Sequence, residues 1–290
     1  MGPPVRTLVA WCLDWPVVAH DHGLDEPVAV LFANRVVAAS PAARAAGVSR
    51  GARKRVAQAR CCDLVVLERD EAREARAFEA VVAALDDITP RVEITRPGTC
   101  AFVMRGPSRY FGGEAAVAEL VHERLAEALG GRTEVRVGVA DGPFAAGLAA
   151  RAARADVPVL VVEPGATPAF LGPLPVTVLE APELCDVLQR LGLRTLGAFA
   201  GLPAVDVLAR FGDEGRRAHR LAAGLDERLP DARLPPPDWS VSAEIDPPAD
   251  RVDRVAFVAR SLAADLHEHL DAEGVACTRL AIEADTEHGE

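Results

Sequence analysis

Short apolar runs alternate with longer amphipathic segments along the first 163 residues of the chain. The short runs are rich in β-branched residues and predict strands at residues 5–13, 64–67, 92–94, 101–104, 135–140 and 157–162. A hairpin is predicted at 28–39, with its bend at Ala33 and Asn34. Helical periodicity predicts helices at residues 41–47, 51–60, 71–85, 114–129 and 144–153. This order indicates an α+β fold with a small helical insertion at about 40–60.

The pattern changes after Pro164. Residues 164–232 contain short helical segments separated by Gly and Pro, which predict a small helical domain. Three consecutive prolines predict a linker at 233–238, because proline continues neither a helix nor a central strand. Beyond it we predict a strand at 241–245, a helix at 251–271 and a strand at 278–284. One helix and two strands bury a sheet face poorly, so we expect that the chain stops inside its last domain or pairs with a partner there.

Charge is distributed unevenly along the chain. The formal net charge is −11, which argues weakly against a dedicated nucleic-acid binder. The 36 residues between Glu26 and Asp63, however, contain no acid and carry +7, from Arg35, Arg44, Arg50, Arg53, Lys54, Arg55 and Arg60. Such a local patch can bind phosphates on an acidic protein, because distant exposed charges are screened at physiological salt. The alternative is an Arg-rich surface that binds no ligand.

The cysteines and the hydropathy exclude several protein classes. The six cysteines form no C-x-x-C pair and have no histidine at metal-ligand spacing, so we expect neither a zinc site nor a disulfide framework, and no cofactor. No apolar run reaches the 18–20 or so residues that a membrane helix needs. The N-terminus lacks the pattern of a signal peptide. We therefore expect a cytoplasmic protein without membrane contact.

Two apolar segments are nearly free of acidic residues. Between Val5 and Ala19 the only acid is Asp14, and no acid lies between Glu93 and Glu114. A pair of Mg²⁺ ions that catalyses nucleotidyl transfer needs several hard carboxylate ligands. Thr and Gly cannot replace a bridging carboxylate, and a thiol is too soft a ligand for Mg²⁺. Neither segment therefore supplies a two-metal site.

Several stretches, in order along nearly the whole chain, resemble one family. Residues 28–60 combine a hairpin with a helical segment rich in small residues, and residues 90–93 form a P-x-V-E motif. The triplet Gly138-Val139-Ala140 precedes a predicted helix, and GLRTLGAFAGLP at 192–203 is similar to a helix–hairpin–helix. Together they resemble the Y-family (translesion, UmuC-like) DNA polymerases.

The resemblance implies a polymerase-like domain organisation. Residues 1–33 and 80–163 would form the palm, and residues 34–79 the fingers. Residues 164–232 would form a helical thumb with a degenerate helix–hairpin–helix, followed by the linker. Residues 239–290 resemble the start of the little finger, which would be partial.

The first catalytic motif of the family is altered in this chain. The pattern D-x-D-x-F-F corresponds to residues 12–17, so Cys12 stands where the first metal-binding acid is expected. Asp14 corresponds to the second Asp, which does not bind metal through its side chain. It is the one acid left in the segment, and we expect it to cap a turn rather than to bind a structural cation. Val17 occupies the position of the aromatic residue that excludes ribonucleotides.

The second motif has lost its acids completely. The pattern S-I-D-E falls on residues 96–99, or one residue later, and neither register supplies an acid. Gly98 and Thr99 occupy the metal-acid positions. We therefore expect no metal, no catalytic residues and no nucleotidyl transfer. Two alternatives stay open: an active Y-family polymerase with an atypical metal site, and a protein-interaction module that does not bind DNA.

The basic segment and the thumb supply the candidate DNA contacts. Phosphate-binding candidates in the fingers are Arg44, Arg50, Arg53 and Arg55. Arg44 matches the fingers arginine that contacts the incoming triphosphate in the family, although Pro41 replaces the neighbouring tyrosine. Candidates in the thumb are Arg194, Thr195 and Gly197, where backbone N–H groups at a helix start could hold a DNA phosphate. A plain helix connection without a ligand is the alternative.

The altered motifs are similar to those of one group within the family. WCxDWP, RPG, RYFGG and GVADGPFAA are similar to the ImuB group, polymerase-like proteins of the bacterial DNA-damage mutasome that lack the catalytic acids. The resemblance implies a nucleoid-associated scaffold in translesion synthesis and SOS mutagenesis. It would bind damaged or primer–template DNA and link an error-prone replicative-type polymerase, a RecA-related accessory protein and the sliding clamp. We expect those protein contacts to need residues beyond 290.

Overall fold

Two units make up the chain, Met1–Leu234 and Pro235–Glu290, and each is considered by itself. The computed structural model describes residues 5–22, 25–226, 240–245 and 251–272, together with the single residues 230, 249, 277, 280 and 282. The predicted linker at 233–238 and most of the predicted strand at 278–284 lie outside this part. In the part that is described, no helix is long and apolar enough to cross a membrane.

The strands and helices follow the predicted order closely. The strands are β1 (Arg6–Cys12), β2 (Val28–Phe32), β3 (Arg35–Ala39), β4 (Val65–Glu68), β5 (Glu93–Arg96), β6 (Thr99–Val103), β7 (Val135–Asp141) and β8 (Val159–Val161). The helices are α1 (Trp15–Val18), α2 (Pro41–Ala45), α3 (Lys54–Arg60), α4 (Glu71–Val82), α5 (Pro107–Tyr110), α6 (Glu114–Leu129), α7 (Pro143–Ala152), α8 (Thr167–Leu171), α9 (Pro182–Arg190), α10 (Leu196–Ala200), α11 (Ala204–Ala222) and α12 (Val252–Ala272).

The larger sheet has the order β5-β6-β1-β7-β8. Strand β1 lies at its centre and pairs antiparallel with both β6 and β7, while β7 and β8 are parallel. Side chains alternate between the two faces of β1. Leu8, Ala10 and Cys12 face a core built with α4 and α6, whereas Val9 faces a second core built with α7 and the helices that follow. We call the first the helix-covered face and the second the front face.

Gly138 allows α7 to lie directly on β7. A Cβ atom at this position would come within 2.2 Å of the Ala146 carbonyl oxygen and of the Ala150 nitrogen. Contacts this short do not occur, so any side chain here would push the helix away from the strand. The glycine of the Gly138-Val139-Ala140 triplet is therefore explained by packing.

The smaller sheet, β3-β2-β4, belongs to the basic segment and the residues that follow it. The predicted hairpin is confirmed: β2 and β3 pair antiparallel, and Ala33 and Asn34 form the bend with φ of 47° and 63°. Two successive positive φ angles are typical of the type I′ turn that matches strand twist. Ala43 from α2 and Ala57 from α3 pack on this sheet, so the basic side chains lie around a small apolar core.

Residues 164–226 form the predicted helical region, α8 to α11. Helix α11 is interrupted at Gly212, whose φ of 62° and ψ of −157° are not helical. A polar network ties this region to the sheet: the buried carboxylate of Asp141 accepts hydrogen bonds from the Thr167 hydroxyl and the Gly165 amide, both at 2.9 Å, and pairs with Arg6. Asp141 therefore acts as a structural acid.

Three sequence predictions need correction. The predicted strand at 241–245 is wrong, because residues 240–245 contain no strand. The helix predicted at 71–85 is an α-helix only to Val82 and ends in a 3₁₀ turn, Ala83–Leu85. Helices α1 and α5 were not predicted, since each is a single turn that begins at or next to a proline. The predicted helix at 251–271 is confirmed by α12.

Candidate nucleic-acid interface

The positions that correspond to the metal-binding acids converge at one end of the larger sheet. The backbone N–H of Cys12 donates to the carbonyl oxygen of Gly98 at 2.8 Å. One residue before Cys12, Trp11 is paired directly with Thr99 across β1 and β6. The two motifs, 80 or more residues apart in sequence, thus meet where the polymerase resemblance requires an active centre.

Cys12 points away from any ligand that could approach the front face. Its side chain is 1% exposed and belongs to the helix-covered core, next to the fully buried Cys100. Burial raises the pKa of the Cys12 thiol far above its ordinary value, and the neighbouring Cys100 raises it further. Burial also raises the pKa of Cys100 to about 12. Both thiols are therefore protonated at neutral pH.

Gly98 stands where no side chain fits. Its φ is +85°, and a Cβ atom here would lie 2.4 Å from the Cβ of Trp15. Trp15 is itself held in place, since its indole N–H donates to the Glu74 carbonyl oxygen at 2.9 Å and its ring packs edge-on against Phe78 at 4.9 Å. The space that an aspartate would need at position 98 is occupied by a fixed tryptophan.

The hydroxyl group of Thr99 accepts a hydrogen bond from an arginine. The Nε of Arg96 donates to the Thr99 hydroxyl oxygen at 3.3 Å, across the turn that joins β5 and β6. A carboxylate at position 99 would have bound a divalent cation in an active polymerase; here the side chain is neutral and accepts a hydrogen bond from a guanidinium.

The carboxylate of Asp14 is neutralised by an arginine of the basic segment. Asp14 occupies the N-cap position of α1 with φ of 51°, but its side chain makes no cap hydrogen bond, so the expected capping role is wrong. Its carboxylate instead forms an ion pair with the guanidinium of Arg44, which also donates to the Ala39 carbonyl oxygen at 2.6 Å. The contact is favoured because the bend into α1 turns the Asp14 side chain toward α2. Asp14 and Arg44 therefore satisfy each other.

The other basic residues of the fingers fall into two groups. Arg35 and Arg60 donate to the carbonyl oxygens of Gly51 and Gly47, at 2.9 and 2.7 Å, and so hold loops of their own sheet. Arg50, Arg53 and Arg55 are exposed and form no ion pair with the described residues. The predicted phosphate contacts were these three arginines and Arg44. Arg44 is paired with Asp14, whereas the guanidinium groups of the other three remain available.

The thumb candidates lie at the start of α10. The Thr195 side chain caps this helix by accepting from the Ala198 amide at 3.2 Å. The amides of Leu196 and Gly197 donate to the carbonyl oxygens of Leu174 and Gly172. Because these N–H groups already have acceptors, the exposed side chain of Arg194 is the group left for a phosphate contact, which stays a prediction.

Sequence reasoning missed three arginines near the emptied acid positions. Besides Arg96, they are Arg136 on β7, which pairs directly with Trp11, and Arg151 at the end of α7. Only tertiary contacts bring these arginines together. Arg96, however, lies within the second motif, and this position could have identified it from the sequence. Within the described ranges, no three His, Cys, Asp or Glu side chains are grouped in a way that could hold a metal ion.

Part of the chain is similar to a known protein family. The family model described as impB/mucB/samB (IMS) matches residues 18–151. These residues are similar to that family. The matched range includes the smaller sheet, the second motif and nearly all of α7, whereas Cys12 and Asp14 lie just before it.

Curated proteins that are similar to this chain carry two kinds of names. "DNA polymerase IV 2" of Mesorhizobium japonicum is 31% identical over 167 residues, which cover 57% of this chain and 40% of the relative. "Protein ImuB" of Caulobacter vibrioides is 28% identical over 221 residues, which cover 76% of this chain and 47% of the relative. The chain spans less than half the length of these two relatives.

Solved structures with the same fold cover most of this chain. A ternary complex of Dbh superposes with a TM-score of 0.63 at 16% identity, covering 77% of this chain and 68% of Dbh. DinB from Sulfolobus solfataricus gives 0.61 at 16% identity, covering 77% and 69%. Both are Y-family polymerases, so the expected α+β, Y-family polymerase-like fold is confirmed.

Proposed function

We propose that this chain is a non-catalytic, Y-family polymerase-like scaffold that acts in DNA-damage tolerance. One observation carries the proposal: the metal-acid positions hold a buried thiol, a glycine with no room for a side chain, and a threonine bonded to an arginine. Two-metal catalysis needs carboxylates that bridge the ions and offset their charge. The remaining acid, Asp14, is paired with Arg44.

DNA binding is the second part of the proposal. The unpaired arginines of the fingers supply positive charge that suits a phosphate backbone. The fold supports it as well, since the solved relatives include the ternary complex of Dbh and an insertion ternary complex of Dbh DNA polymerase. The net negative charge of the rest of the chain is screened from these residues at physiological salt.

The role as a scaffold follows from the similarity to ImuB. We propose that the whole protein bridges an error-prone polymerase, a RecA-related accessory protein and the sliding clamp at damaged DNA in the bacterial cytoplasm. The similarity to a relative named Protein ImuB over 76% of this chain supports this role. Because the chain spans less than half of that relative, the partner contacts are proposed for the whole protein.

Primer extension with Mg²⁺ or Mn²⁺ tests the absence of catalysis. We expect no extension by the purified chain under conditions where an active Y-family polymerase extends the same primer. Extension by the chain would contradict the proposal. The Asp14→Ala variant would then show whether Asp14 takes part, since activity that survives this change would reveal a site elsewhere.

An active polymerase is the second candidate, and the relatives named DNA polymerase IV favour it. It requires a metal site built from other residues. Exposed acids such as Glu134 and Glu180 would have to leave their arginine partners, Arg136 and Arg151, and move to the front face. The primer-extension experiment distinguishes the two candidates directly.

A further inference from the structure

Four side chains form a row across the front face at the end of the sheet where the acids are missing. Arg96 of β5 is paired with Thr99 of β6, Thr99 with Trp11 of β1, and Trp11 with Arg136 of β7. Directly opposed residues in neighbouring strands project to the same face of a sheet. With neighbouring strands about 4.8 Å apart, the row is roughly 14 Å long. We call it the cross-sheet row.

The row presents two cations on either side of an indole. The guanidinium of Arg136 lies over the Trp11 ring, 6.0 Å from its centroid, and Trp11 is partly exposed. Arg136 donates to Glu134 at 2.9 Å through Nη2, while its buried Nε has no hydrogen-bond partner in the described part of the chain. At the other end, Arg96 is exposed and is oriented by Thr99. Both ends of the row therefore carry a guanidinium group, and that of Arg136 has one N–H without an acceptor among the described residues.

More positive charge gathers next to Arg96. Partial desolvation lowers the pKa of Arg96, and repulsion from Arg151 and Arg50 lowers it further, while attraction to Glu180 opposes the change. The guanidinium groups of Arg151, from α7, and of Arg50, from the loop before α3, thus each repel that of Arg96. Collecting like charges is unfavourable unless an anion relieves the repulsion.

Glu180 is the acid that partly balances this cluster. Its carboxylate accepts from the Arg151 guanidinium at 3.0 Å, and its backbone adopts a φ of 56°, which is uncommon for a non-glycine residue. Glu180 and Arg151 are both exposed. A phosphate that binds Arg151 would have to displace this carboxylate, so Glu180 competes with an anionic ligand.

We propose that the cross-sheet row, with Arg151 and Arg50, binds successive phosphates of a nucleic-acid strand without divalent metal ions. An active polymerase centre is acidic and binds phosphates through Mg²⁺. In this chain those acids are absent, and the guanidinium groups of the row would bind phosphate oxygens directly with paired N–H donors. The length of the row exceeds a single phosphate group, and the indole between the cations offers a surface on which a base can stack. The inference rests on the proposed DNA binding and specifies its site.

The test measures binding of a labelled primer–template with a single-stranded 5′ overhang, at low salt, in EDTA and in Mg²⁺. We expect equal or tighter binding in EDTA, because Mg²⁺ competes for the phosphates. The double variant Arg96→Gln/Arg136→Gln should make the slope of log affinity against log salt shallower by about 1.4, roughly 0.7 for each phosphate contact to a single strand. Arg124→Gln, an exposed arginine of α6 on the helix-covered side, is the control and should retain the unaltered slope.

A second variant changes affinity in the opposite direction. Glu180→Gln frees Arg151 and should tighten binding about threefold to fivefold. Glu183→Gln removes the same charge from an exposed position nearby in α9 and should have a smaller effect. A gain in affinity cannot result from unfolding. The Glu180→Gln variant is therefore informative even if the double arginine variant is destabilised.

The outcomes separate the site from the proposed function. If the unaltered chain binds no primer–template at low salt, both the DNA binding and the site are refuted. If it binds, but only with Mg²⁺, or if the row variants behave like their controls, the site is refuted while DNA binding stands. A final experiment adds inorganic triphosphate as a competitor of the labelled primer–template. Displacement of the strand at equal phosphate concentration would identify a nucleotide site and would overturn the inference.

Discussion

At the scale of single residues, Gly98 determines whether an acidic side chain fits at this metal-acid position. Its positive φ alone makes any side chain unfavourable, and the Cβ of Trp15 would lie 2.4 Å away. We expect Gly98→Ala to lower the free energy of unfolding by about 2–4 kcal/mol, from backbone strain and overpacking together. Urea denaturation measures the change.

Gly112 supplies a matched control for this change. Its φ is also +85°, but nothing lies within 4 Å of a Cβ built there. Gly112→Ala should therefore show backbone strain alone, about 1–2 kcal/mol. Equal losses in the two variants would show that Trp15 does not exclude a side chain at position 98.

The buried thiol at Cys12 predicts a pH dependence of stability. Its pKa is raised in the folded state by burial, so the unfolded chain ionises first as the pH rises. The stabilisation is complete below the ordinary thiol pKa of about 9 and is lost above it, by up to about 1.4 kcal/mol per pH unit. We expect Cys12→Ala to unfold with a shallower alkaline slope in reducing buffer. Cys62→Ala removes an exposed thiol and should leave the alkaline slope unchanged. A shallower slope in the Cys62→Ala variant would show that burial of the thiol does not cause the pH dependence.

At the scale of elements, the fingers sheet separates structural arginines from available ones. Arg53→Gln/Arg55→Gln removes two unpaired guanidinium groups next to and on α3, and we expect primer–template affinity to fall about tenfold at low salt. Arg35→Gln/Arg60→Gln removes the same charge but breaks hydrogen bonds to Gly51 and Gly47. That control should lower stability more than affinity. Equal loss of affinity in both would indicate a response to net charge rather than to particular contacts.

At the scale of the whole molecule, a net charge of −11 coexists with a basic segment of +7. DNA binding by such a chain should weaken steeply as salt rises, because each phosphate contact releases counterions from the DNA. We expect log affinity to fall with log salt at a slope of about −3 to −5, for roughly four to five phosphate contacts. Fluorescence anisotropy over a salt series measures it. Absence of binding even at low salt would instead favour a module that contacts only proteins.

Much of the fold could be predicted from sequence because its signals are local. The strands of the larger sheet, the hairpin at Ala33 and Asn34, and the helices α4, α6 and α7 follow from periodicity and turn residues within short windows. Predictions failed for elements too short to show periodicity, as for the single-turn helices α1 and α5. The boundaries of palm, fingers and thumb stay predictions.

The absence of acids around Cys12, Gly98 and Thr99 is a property of the sequence alone, because a residue that is not encoded cannot bind a metal wherever the chain folds. Only the tertiary structure decided what fills that place. Trp15 excludes side chains at Gly98, Arg44 neutralises Asp14, and Arg96 and Arg136 come into one row. These contacts join residues far apart in the chain, and strand register and helix packing, rather than local sequence, determine which side chains meet.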